Sequence, residues 1–430
     1  MRLDQKKKLL ALGGGGLLLL ITFKLIGLIP FVPQVKKSFL SKQNVSHILE
    51  PLLNSDASSI LPKEIDLTVK NHPTRSLIEY TLDTHLQVEV EALFHTYKPD
   101  YGAFVAIEPT TGKVLALVSY NHGQTFHENI ALKGGFPSAS IFKVITAAAA
   151  LETGKLNTNS IIPFNGRSHT LYRRNVFSWK ENRYTRYMTL TEAFGKSVNP
   201  IFGRIGALYV EPEELKEFAR NFGFNREIAS DLPFAEGHAK ITHDEWERAE
   251  TASGFTLDNT MSPLQGALIA SAIVNNGVMM EPYIVKSVHS ESGESLYSGK
   301  PSVSTVSVSE QTAQQIRKLM QETVLRGTAK SAFRTFFRRS PLRNTLEIGG
   351  KTGSLTGLAP KGKYDWFVGY ADNGEQKFAF SALTVHKEYW RVKSTYLARK
   401  AIETYFSDQI QTTSASPTRK KLNPETSQSH

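Results

Sequence analysis

The sequence predicts an α+β fold in which strands from both ends of one domain form a single antiparallel sheet. Two short apolar runs, 102–107 and 114–118, flank a Pro-Thr-Thr-Gly turn, which is typical of a β-hairpin. Three further apolar runs, interrupted by Gly, Lys and Asp, occupy 348–354, 366–371 and 378–386. Helical patterns fill the chain between these two groups, so we expect the early hairpin to join the late strands in a sheet flanked by helices.

The first 32 residues have the pattern of a membrane anchor. Arg2 and three lysines precede an apolar run over 9–23, which resumes after one more lysine and continues to residue 32. About 20 apolar residues cross a bilayer core, and flanking cations stay in the cytoplasm. We therefore expect a cytoplasmic segment at 1–8 and a transmembrane helix over 9–32. A cleaved signal peptide is the alternative, although no small-x-small cleavage site follows 9–23.

Three stretches of different composition follow the anchor. Residues 33–75 mix Ser, Lys, Pro and short apolar patches, which indicates a juxtamembrane connector with limited structure of its own. A globular domain is expected over 76–410, and it begins with helically spaced apolar residues from Leu77 to Phe94. The tail, 411–430, is rich in Ser, Thr, Pro and Lys and is expected to be disordered.

The centre of the domain is predicted to be largely helical. An apolar, Ala-rich run over 141–151 has the length and composition of a buried helix. The polar, aromatic and basic segment 157–187 has no clean period, which indicates a long loop beside it. Further helical patterns occur at 191–208, 212–221, 263–275 and 310–325.

Composition excludes several classes of chemistry. The chain has 430 residues, of which 40% are hydrophobic, enough for a sizeable core. It contains no cysteine, so disulfides, thiol nucleophiles and Cys-ligated zinc are all excluded, and any covalent chemistry must use an oxygen or a lysine nitrogen. The net charge of +11 fits an anionic partner. Nucleic acid is not expected, because zinc-finger spacing and RNP patterns are missing.

The first of three chemical motifs is Ser140-x-x-Lys143, at the start of the buried Ala-rich run. Residues three apart on a helix share a face, so the Lys143 amine can lie beside the Ser140 hydroxyl. A serine hydroxyl needs a base to become nucleophilic, and lysine can act as one only when burial and a second cation lower its pKa. Lys351 is the candidate for that cation.

The second motif is Ser197-x-Asn199, within a stretch of helical pattern. If the chain turns there, both side chains can face one cavity, where the hydroxyl would relay a proton and the amide would hold a substrate backbone group. Taken alone, the motif is better explained by Ser197 capping a helix that begins near Pro200.

The third motif is Lys351-Thr352-Gly353-Ser354, at the end of a Gly-flanked strand. On a strand, Lys351 and Gly353 face one way and Thr352 the other. Gly353 would let another backbone approach an edge strand closely, and Lys351 would offer positive charge to a carboxylate. The alternative is a glycine that serves only sheet curvature.

In this order the three motifs resemble the transpeptidase domain of penicillin-binding proteins, which shares its fold with serine β-lactamases. The resemblance spans roughly residues 100–390. It extends to the segments 106–118, 129–137, 262–265 with 276–277, 327–329 and 365–370. It implies an antiparallel sheet flanked by helices, together with an all-helical lobe.

The resemblance also implies a reaction. Ser140 would be acylated by a terminal D-alanyl-D-alanine, with Lys143 as the base and Ser197 as the proton relay to the departing D-alanine. The backbone amides of Ser140 and Ser354 would form the oxyanion hole. An amine of a neighbouring peptide would then resolve the acyl-enzyme, which gives a cross-link.

Substrate contacts and partners follow from the same resemblance. Asn199 would hold the donor peptide, and Lys351 with Thr352 would hold its carboxylate beside Gly353 and Ser354. The expected partners are peptidoglycan peptide stems, β-lactam antibiotics and a separate membrane glycosyltransferase; no metal or cofactor is implied. The expected location is the bacterial cell membrane, with one span and the catalytic domain on the periplasmic side.

Two positions depart from the family pattern, since Ala139 stands where many relatives have Gly and Ser354 where Thr is commoner; both should be tolerated. The segment between anchor and domain leaves no room for a glycosyltransferase domain and little for a large pedestal. Three alternatives stay open: a serine β-lactamase, a D,D-carboxypeptidase and a penicillin sensor without turnover. Against the first, the chain has no E-x-x-L-N or Y-x-N segment.

The basic and aromatic stretch from Tyr172 to Tyr187 is a further candidate for function. It lies in the chain between the first two motifs. We expect it to flank the cleft and to bind an anionic or sugar-bearing part of the glycan strand. The alternative is a solvated run of charge.

Overall fold

A computed structural model describes residues 39–54, 61–69, 72–123, 129–177 and 180–414. The expected anchor at 9–32 lies outside these ranges, as does the expected tail beyond residue 414. Over the part of the chain described, no helix is both long enough and apolar enough to cross a bilayer.

The helices and strands occur in groups along the described chain. The helices are α1 (Lys42–Leu53), α2 (Thr84–Tyr97), α3 (Lys143–Glu152), α4 (Arg173–Val176), α5 (Leu190–Gly195), α6 (Asn199–Arg204), α7 (Pro212–Asn221), α8 (Glu245–Ser253), α9 (Pro263–Val274), α10 (Glu310–Leu325), α11 (Lys330–Arg339) and α12 (Ser394–Ser414). The strands are β1 (Glu64–Val69), β2 (His72–Tyr80), β3 (Tyr101–Ile107), β4 (Val114–Asn121), β5 (Phe136–Pro137), β6 (Ile161–Phe164), β7 (Arg186–Thr189), β8 (Thr260–Met261), β9 (Val278–Met280), β10 (Val285–Ser290), β11 (Ser295–Ser298), β12 (Val303–Val306), β13 (Glu347–Leu358), β14 (Lys361–Asp372) and β15 (Lys377–His386).

A five-stranded antiparallel sheet organises the domain, in the order β13-β14-β15-β3-β4. The expected joining of the early hairpin to the three late strands is confirmed. Alternate side chains face opposite sides of this sheet. Phe104 and Phe380 pack with α2, α11 and α12 on one side, whereas Val105 and Trp366 pack with α9 and the helical lobe on the other. β13 forms one edge of the sheet, so one side of that strand is left for another partner.

Local signals explain why the central helices form where they do. The Ser262 side chain accepts a hydrogen bond from the Gln265 amide, and Pro263 follows at the first helical position, so α9 has a strong start. All 12 residues of α9 are buried, as expected of an apolar helix between a sheet and a helical lobe. The patterns at 212–221, 263–275 and 310–325 correspond closely to α7, α9 and α10.

The connector, in contrast, was predicted wrongly, because 33–75 contains α1, β1 and the start of β2. β2 pairs with β10, which completes a four-stranded sheet in the order β1-β2-β10-β11. Val45 and Leu49 of α1 are buried in the main core, and Lys42 forms an ion pair with Glu281. The expected helix from Leu77 to Phe94 is wrong in its first part, because the chain up to Tyr80 is β2 and α2 begins only after Asp83.

Two other stretches also differ from expectation. The segment 157–187 is not a plain loop, since β6 pairs with β7 and α4 lies between them. The helical stretch 191–208 is interrupted at Ser197, whose φ of 54° lies in the left-handed region.

The first four residues of the expected disordered tail, 411–414, belong to α12.

Candidate active site

Ser140 and Lys143 lie together at the start of a buried helix. Residues Ala139–Phe142 form a 3₁₀ turn that continues directly into α3. Ser140 is half-buried, whereas Lys143 is fully buried and its Nζ lies 2.8 Å from Ser140 Oγ. The spacing of three residues therefore brings hydroxyl and amine into contact, as the motif predicts.

The Lys143 amine is surrounded by three oxygen atoms. Besides Ser140 Oγ, its Nζ donates to Asn199 Oδ1 at 2.8 Å and to the Ser253 carbonyl oxygen. Burial, followed by the nearby Lys351, holds the pKa of Lys143 well below its usual range. Lys143 is thus arranged to remove the Ser140 proton.

Lys351 connects the third motif to the second. Its Nζ donates to Ser197 Oγ at 2.9 Å and to the Thr352 carbonyl oxygen at 2.8 Å. Burial lowers the pKa of Lys351 to about 7. The left-handed turn at Ser197 directs its hydroxyl toward Lys351, and the helix-cap alternative is excluded because α6 begins after Val198 without a side-chain cap.

An aromatic floor separates the two lysines from solvent. The rings of Phe194 and Phe202 lie 6.1 Å apart at a steep angle. The Lys143 amine is 5.7 Å from the centre of the Phe202 ring, and the Lys351 amine is 5.6 Å from that of Phe194. Ring faces attract a cation only weakly, so they do not replace the lost hydration. This floor is part of the burial that lowers both pKa values, and for Lys143 the nearby Lys351 lowers the pKa further.

The β13 edge strand lies against the nucleophile turn. Lys351 and Gly353 are buried, Thr352 is half-buried and Ser354 is exposed, so the expected alternation is confirmed. A methyl group placed on Gly353 would lie 3.2 Å from Ile141 Cγ1, which shows how closely the strand approaches the turn. The strand therefore lies against the turn that carries Ser140, and Ser354 is the next residue along it.

Sequence reasoning missed several residues that shape this site. The Ser253 carbonyl binds Lys143, and a methyl on Gly254, at a φ of 66°, would lie only 1.9 Å from the Ala139 carbonyl oxygen. The Thr328 hydroxyl lies 2.5 Å from the Thr352 hydroxyl. A glycine that ends a helix is visible in a sequence, but its contact with a distant turn is not.

Two predicted site positions carry unexpected features. Ala139 has a φ of 47°, a conformation that favours glycine, so alanine is tolerated there at some cost in strain. Asn199 does not simply face a substrate: its Oδ1 is bound to Lys143, and its Nδ2 donates to the His169 carbonyl oxygen at 3.0 Å. One amide N–H of Asn199 is then left for a donor peptide.

The fold and the site together are those of active-serine proteins that carry a lysine three residues after the serine. The family described as "Penicillin binding protein transpeptidase domain" matches residues 102–403. The chain therefore belongs to the penicillin-binding protein transpeptidase domain family.

Individual relatives are similar over the same region. "Stage V sporulation protein D" of Bacillus subtilis is 27% identical over 67% of this chain and 44% of its own length. "Peptidoglycan D,D-transpeptidase PbpA" of Mycolicibacterium smegmatis is 28% identical over 66% of this chain and 62% of its own length. The chain thus spans less than two thirds of both relatives.

A solved structure has the same fold. Penicillin-binding protein A of Mycobacterium tuberculosis, as its imipenem acyl-enzyme complex, is 26% identical with a TM-score of 0.62. The similarity covers 77% of this chain and 80% of that one.

Proposed function

We propose that this protein is a peptidoglycan D,D-transpeptidase that forms an acyl-enzyme on Ser140. The observation that carries the proposal is the fully buried Lys143 amine, whose Nζ lies 2.8 Å from Ser140 Oγ and whose pKa is lowered by burial and by Lys351. The name of the mycobacterial relative supports the reaction, and the imipenem acyl-enzyme of the mycobacterial neighbour supports β-lactam binding.

The first half of the reaction is an acyl transfer to serine. Ser140 Oγ attacks the carbonyl carbon of the penultimate D-alanine and its proton moves to Lys143 Nζ. The amide bond to the terminal D-alanine then breaks, and the proton held by Lys143 passes through the Ser197 hydroxyl to the leaving nitrogen, which leaves Lys143 neutral for the second half. Lys351 holds that hydroxyl in place and carries the positive charge that favours proton release.

The second half returns the serine. An amine of a neighbouring stem attacks the ester carbon, the C–Oγ bond breaks and a new amide forms. The proton lost by the amine replaces the one that Ser140 gave up, by way of Lys143. The open edge of β13 pairs with the donor peptide, and the Thr352 hydroxyl and Lys351 charge attract its carboxylate.

We also propose the cellular setting from the sequence. The basic and apolar N-terminus anchors the chain in a bacterial cell membrane, and the catalytic domain faces the periplasm or cell exterior. A separate membrane glycosyltransferase supplies the glycan strands. Protease protection of a tagged N-terminus in intact cells tests the orientation, and exposure of residues 1–8 on the outside would contradict it.

Covalent labelling tests the nucleophile. Residues 36–430, incubated with a fluorescent penicillin, should gain one adduct in an intact-mass measurement, because a β-lactam mimics the terminal dipeptide. Ser140→Ala should abolish the adduct, whereas Ser292→Ala, in an exposed turn between β10 and β11, should leave it unchanged. An unchanged adduct on Ser140→Ala would exclude Ser140 as the nucleophile.

The acceptor is tested separately. A peptidoglycan fragment mixed with the protein and a labelled D-amino acid should exchange its terminal residue for the label, as mass spectrometry detects. Release of D-alanine without exchange would indicate a D,D-carboxypeptidase instead. Rapid loss of the penicillin adduct with release of hydrolysed drug would indicate a β-lactamase, and a stable adduct without either turnover would indicate a sensor.

A further inference from the structure

The segment 165–188, without residues 178–179, which lie outside the described ranges, forms a surface that we call the basic flap. Its Arg and Lys residues are Arg167, Arg173, Arg174, Lys180, Arg183 and Arg186, against the one carboxylate of Glu181. The reaction proposed above assigns no role to any of them.

One arm of the basic flap is attached to the catalytic centre. The Asn199 backbone N–H donates to the Ser168 carbonyl oxygen at 2.7 Å, and the Asn199 side chain donates to that of His169. Because Asn199 also binds Lys143, a single residue links the flap to the catalytic amine. A methyl on Gly203 of α6 would lie 2.7 Å from Leu171, so the flap also packs tightly on the helix that carries Asn199.

The other arm places two arginines over aromatic rings. The guanidinium carbon of Arg186 lies 4.4 Å from the centre of the Phe164 ring, and that of Arg183 lies 4.7 Å from that of Tyr184. Arg186 also donates to the Gly166 carbonyl oxygen, two residues before Ser168. Stacking fixes the plane of a guanidinium and leaves N–H groups on its edge for a planar anion.

The charge of the basic flap is not neutralised from within. The Glu181 carboxylate accepts a hydrogen bond from the Tyr187 hydroxyl. The Asp244 carboxylate accepts hydrogen bonds from two amides at the start of α8, and these bonds, with a smaller part from Arg173, lower its pKa. Counting only side chains that the structure describes, no carboxylate lies within ion-pair distance of Arg173, Arg174, Arg183 or Arg186. All four are exposed, so an anionic ligand can reach them.

We propose that the basic flap binds a free carboxylate of the donor stem peptide, upstream of the D-alanine that is acylated; this rests on the proposed transpeptidase function. A peptide acylated on Ser140 continues away from the catalytic serine past Asn199, where the flap begins. Extended chain covers ~3.3 Å per residue, so a side-chain carboxylate two or three residues upstream lies roughly 7–10 Å along the peptide from the acylated residue. Guanidinium edges pair with carboxylates in a bidentate geometry. The flap therefore selects stems whose acidic groups are free over stems in which they are amidated.

Two matched donor peptides test the inference, identical except for a carboxylate or a carboxamide on the acidic residue upstream of D-alanyl-D-alanine. The readout is kcat/KM for exchange with a labelled D-amino acid. We expect the carboxylate donor to be preferred about tenfold, the scale of one charge-assisted pair. Arg173→Gln with Arg174→Gln should bring the ratio near one by slowing only the carboxylate donor. Arg183→Gln with Arg186→Gln is a second, independent pair.

The control pair is Arg338→Gln with Arg339→Gln, which removes the same charge from the exposed face of α11. It should leave the donor ratio unchanged, and benzylpenicillin should acylate Ser140 at the same rate in every variant. A wild type that is labelled by penicillin but treats both donors alike overturns the subsite and leaves the proposed function standing. Loss of penicillin acylation in both flap pairs would make the flap a structural wall and also overturn the proposal. Failure of the wild type to react with penicillin would refute the proposed function itself.

Discussion

Replacing Lys351 by methionine should make the protein more stable at neutral pH while it removes a site residue. The unfolded chain holds this amine at its ordinary pKa of 10.5, whereas the folded protein lowers it to about 7. Folding therefore disfavours the protonated amine, which at pH 7 costs about 4 kcal/mol at about 1.4 kcal/mol per pKa unit. Methionine has similar length and packs against Phe194 without that cost.

The lost hydrogen bonds offset part of this gain. Methionine leaves the Thr352 carbonyl oxygen and the Ser197 hydroxyl without the Lys351 donor, which costs about 1–3 kcal/mol. The net stabilisation at pH 7 is then about 2 kcal/mol. The net stabilisation should shrink as pH rises. A lysine whose pKa is lowered by folding destabilises the fold only at pH values below its unfolded pKa of 10.5, and the full penalty applies only below pH of about 7.

Urea unfolding of both proteins at pH 7 and pH 9 measures the effect. Between these two pH values, the advantage of Lys351→Met should fall by about 2 kcal/mol. Lys361→Met, at an exposed position on the neighbouring strand β14, should show no such change. A stability difference between Lys351→Met and wild type that is the same at both pH values would refute the claim that Lys351 is held with a lowered pKa.

Three further predictions concern the base, a buried carboxylate and the nucleophile turn. Lys143→Ala should slow penicillin acylation by about 10²- to 10⁴-fold in stopped-flow measurements, and a loss below roughly tenfold would contradict its role as base. Burial raises the pKa of Asp231 from 3.8 to about 6, so its contribution of about 3 kcal/mol to the free energy of unfolding is present in full below pH 3.8 and is lost as pH rises through 6. Asp231→Asn should make the urea midpoint change less between about pH 5 and about pH 7.5. An unchanged dependence of the midpoint on pH would contradict the raised pKa. Gly254→Ala should reduce both the acylation rate and the melting temperature more than Gly293→Ala does. Both glycines have a positive φ, but only Gly254 faces the Ala139 carbonyl. Equal effects of the two substitutions would show that backbone strain alone, and not the contact with Ala139, causes the loss.

Features of the fold that depend on local pattern could be predicted from the sequence. The hairpin, the three late strands and helices such as α9 and α10 each carry their own periodicity, turn residues and caps. The connector could not be predicted in the same way, because β2 is stabilised by β10, more than 200 residues further along the chain. A strand whose pairing partner is that distant shows only a weak local signal.

In the candidate site, too, the features set by local pattern could be predicted and those set by distant contacts could not. Ser140 and Lys143 are placed by helical spacing, and the alternation at Lys351 follows from strand geometry, so the sequence predicts both. The turn at Ser197 could not be foreseen, since a left-handed serine has no sequence signature. Nor could the Ser253 carbonyl, because every residue carries that group and only the fold selects one to bind Lys143.

The pairing of β2 with β10 bears on how this protein can be divided into pieces. The family match begins at residue 102, and a fragment cut there would seem a natural unit. Such a fragment would lose α1, β1, β2 and α2, and it would leave one edge of β10 unpaired, next to the newly exposed Val288. Unpaired strand edges form hydrogen bonds with strands of other chains, so the shortened protein should associate with itself or precipitate. Recombinant work, and any natural exchange of this domain between proteins, must carry the segment from about residue 39 along with it.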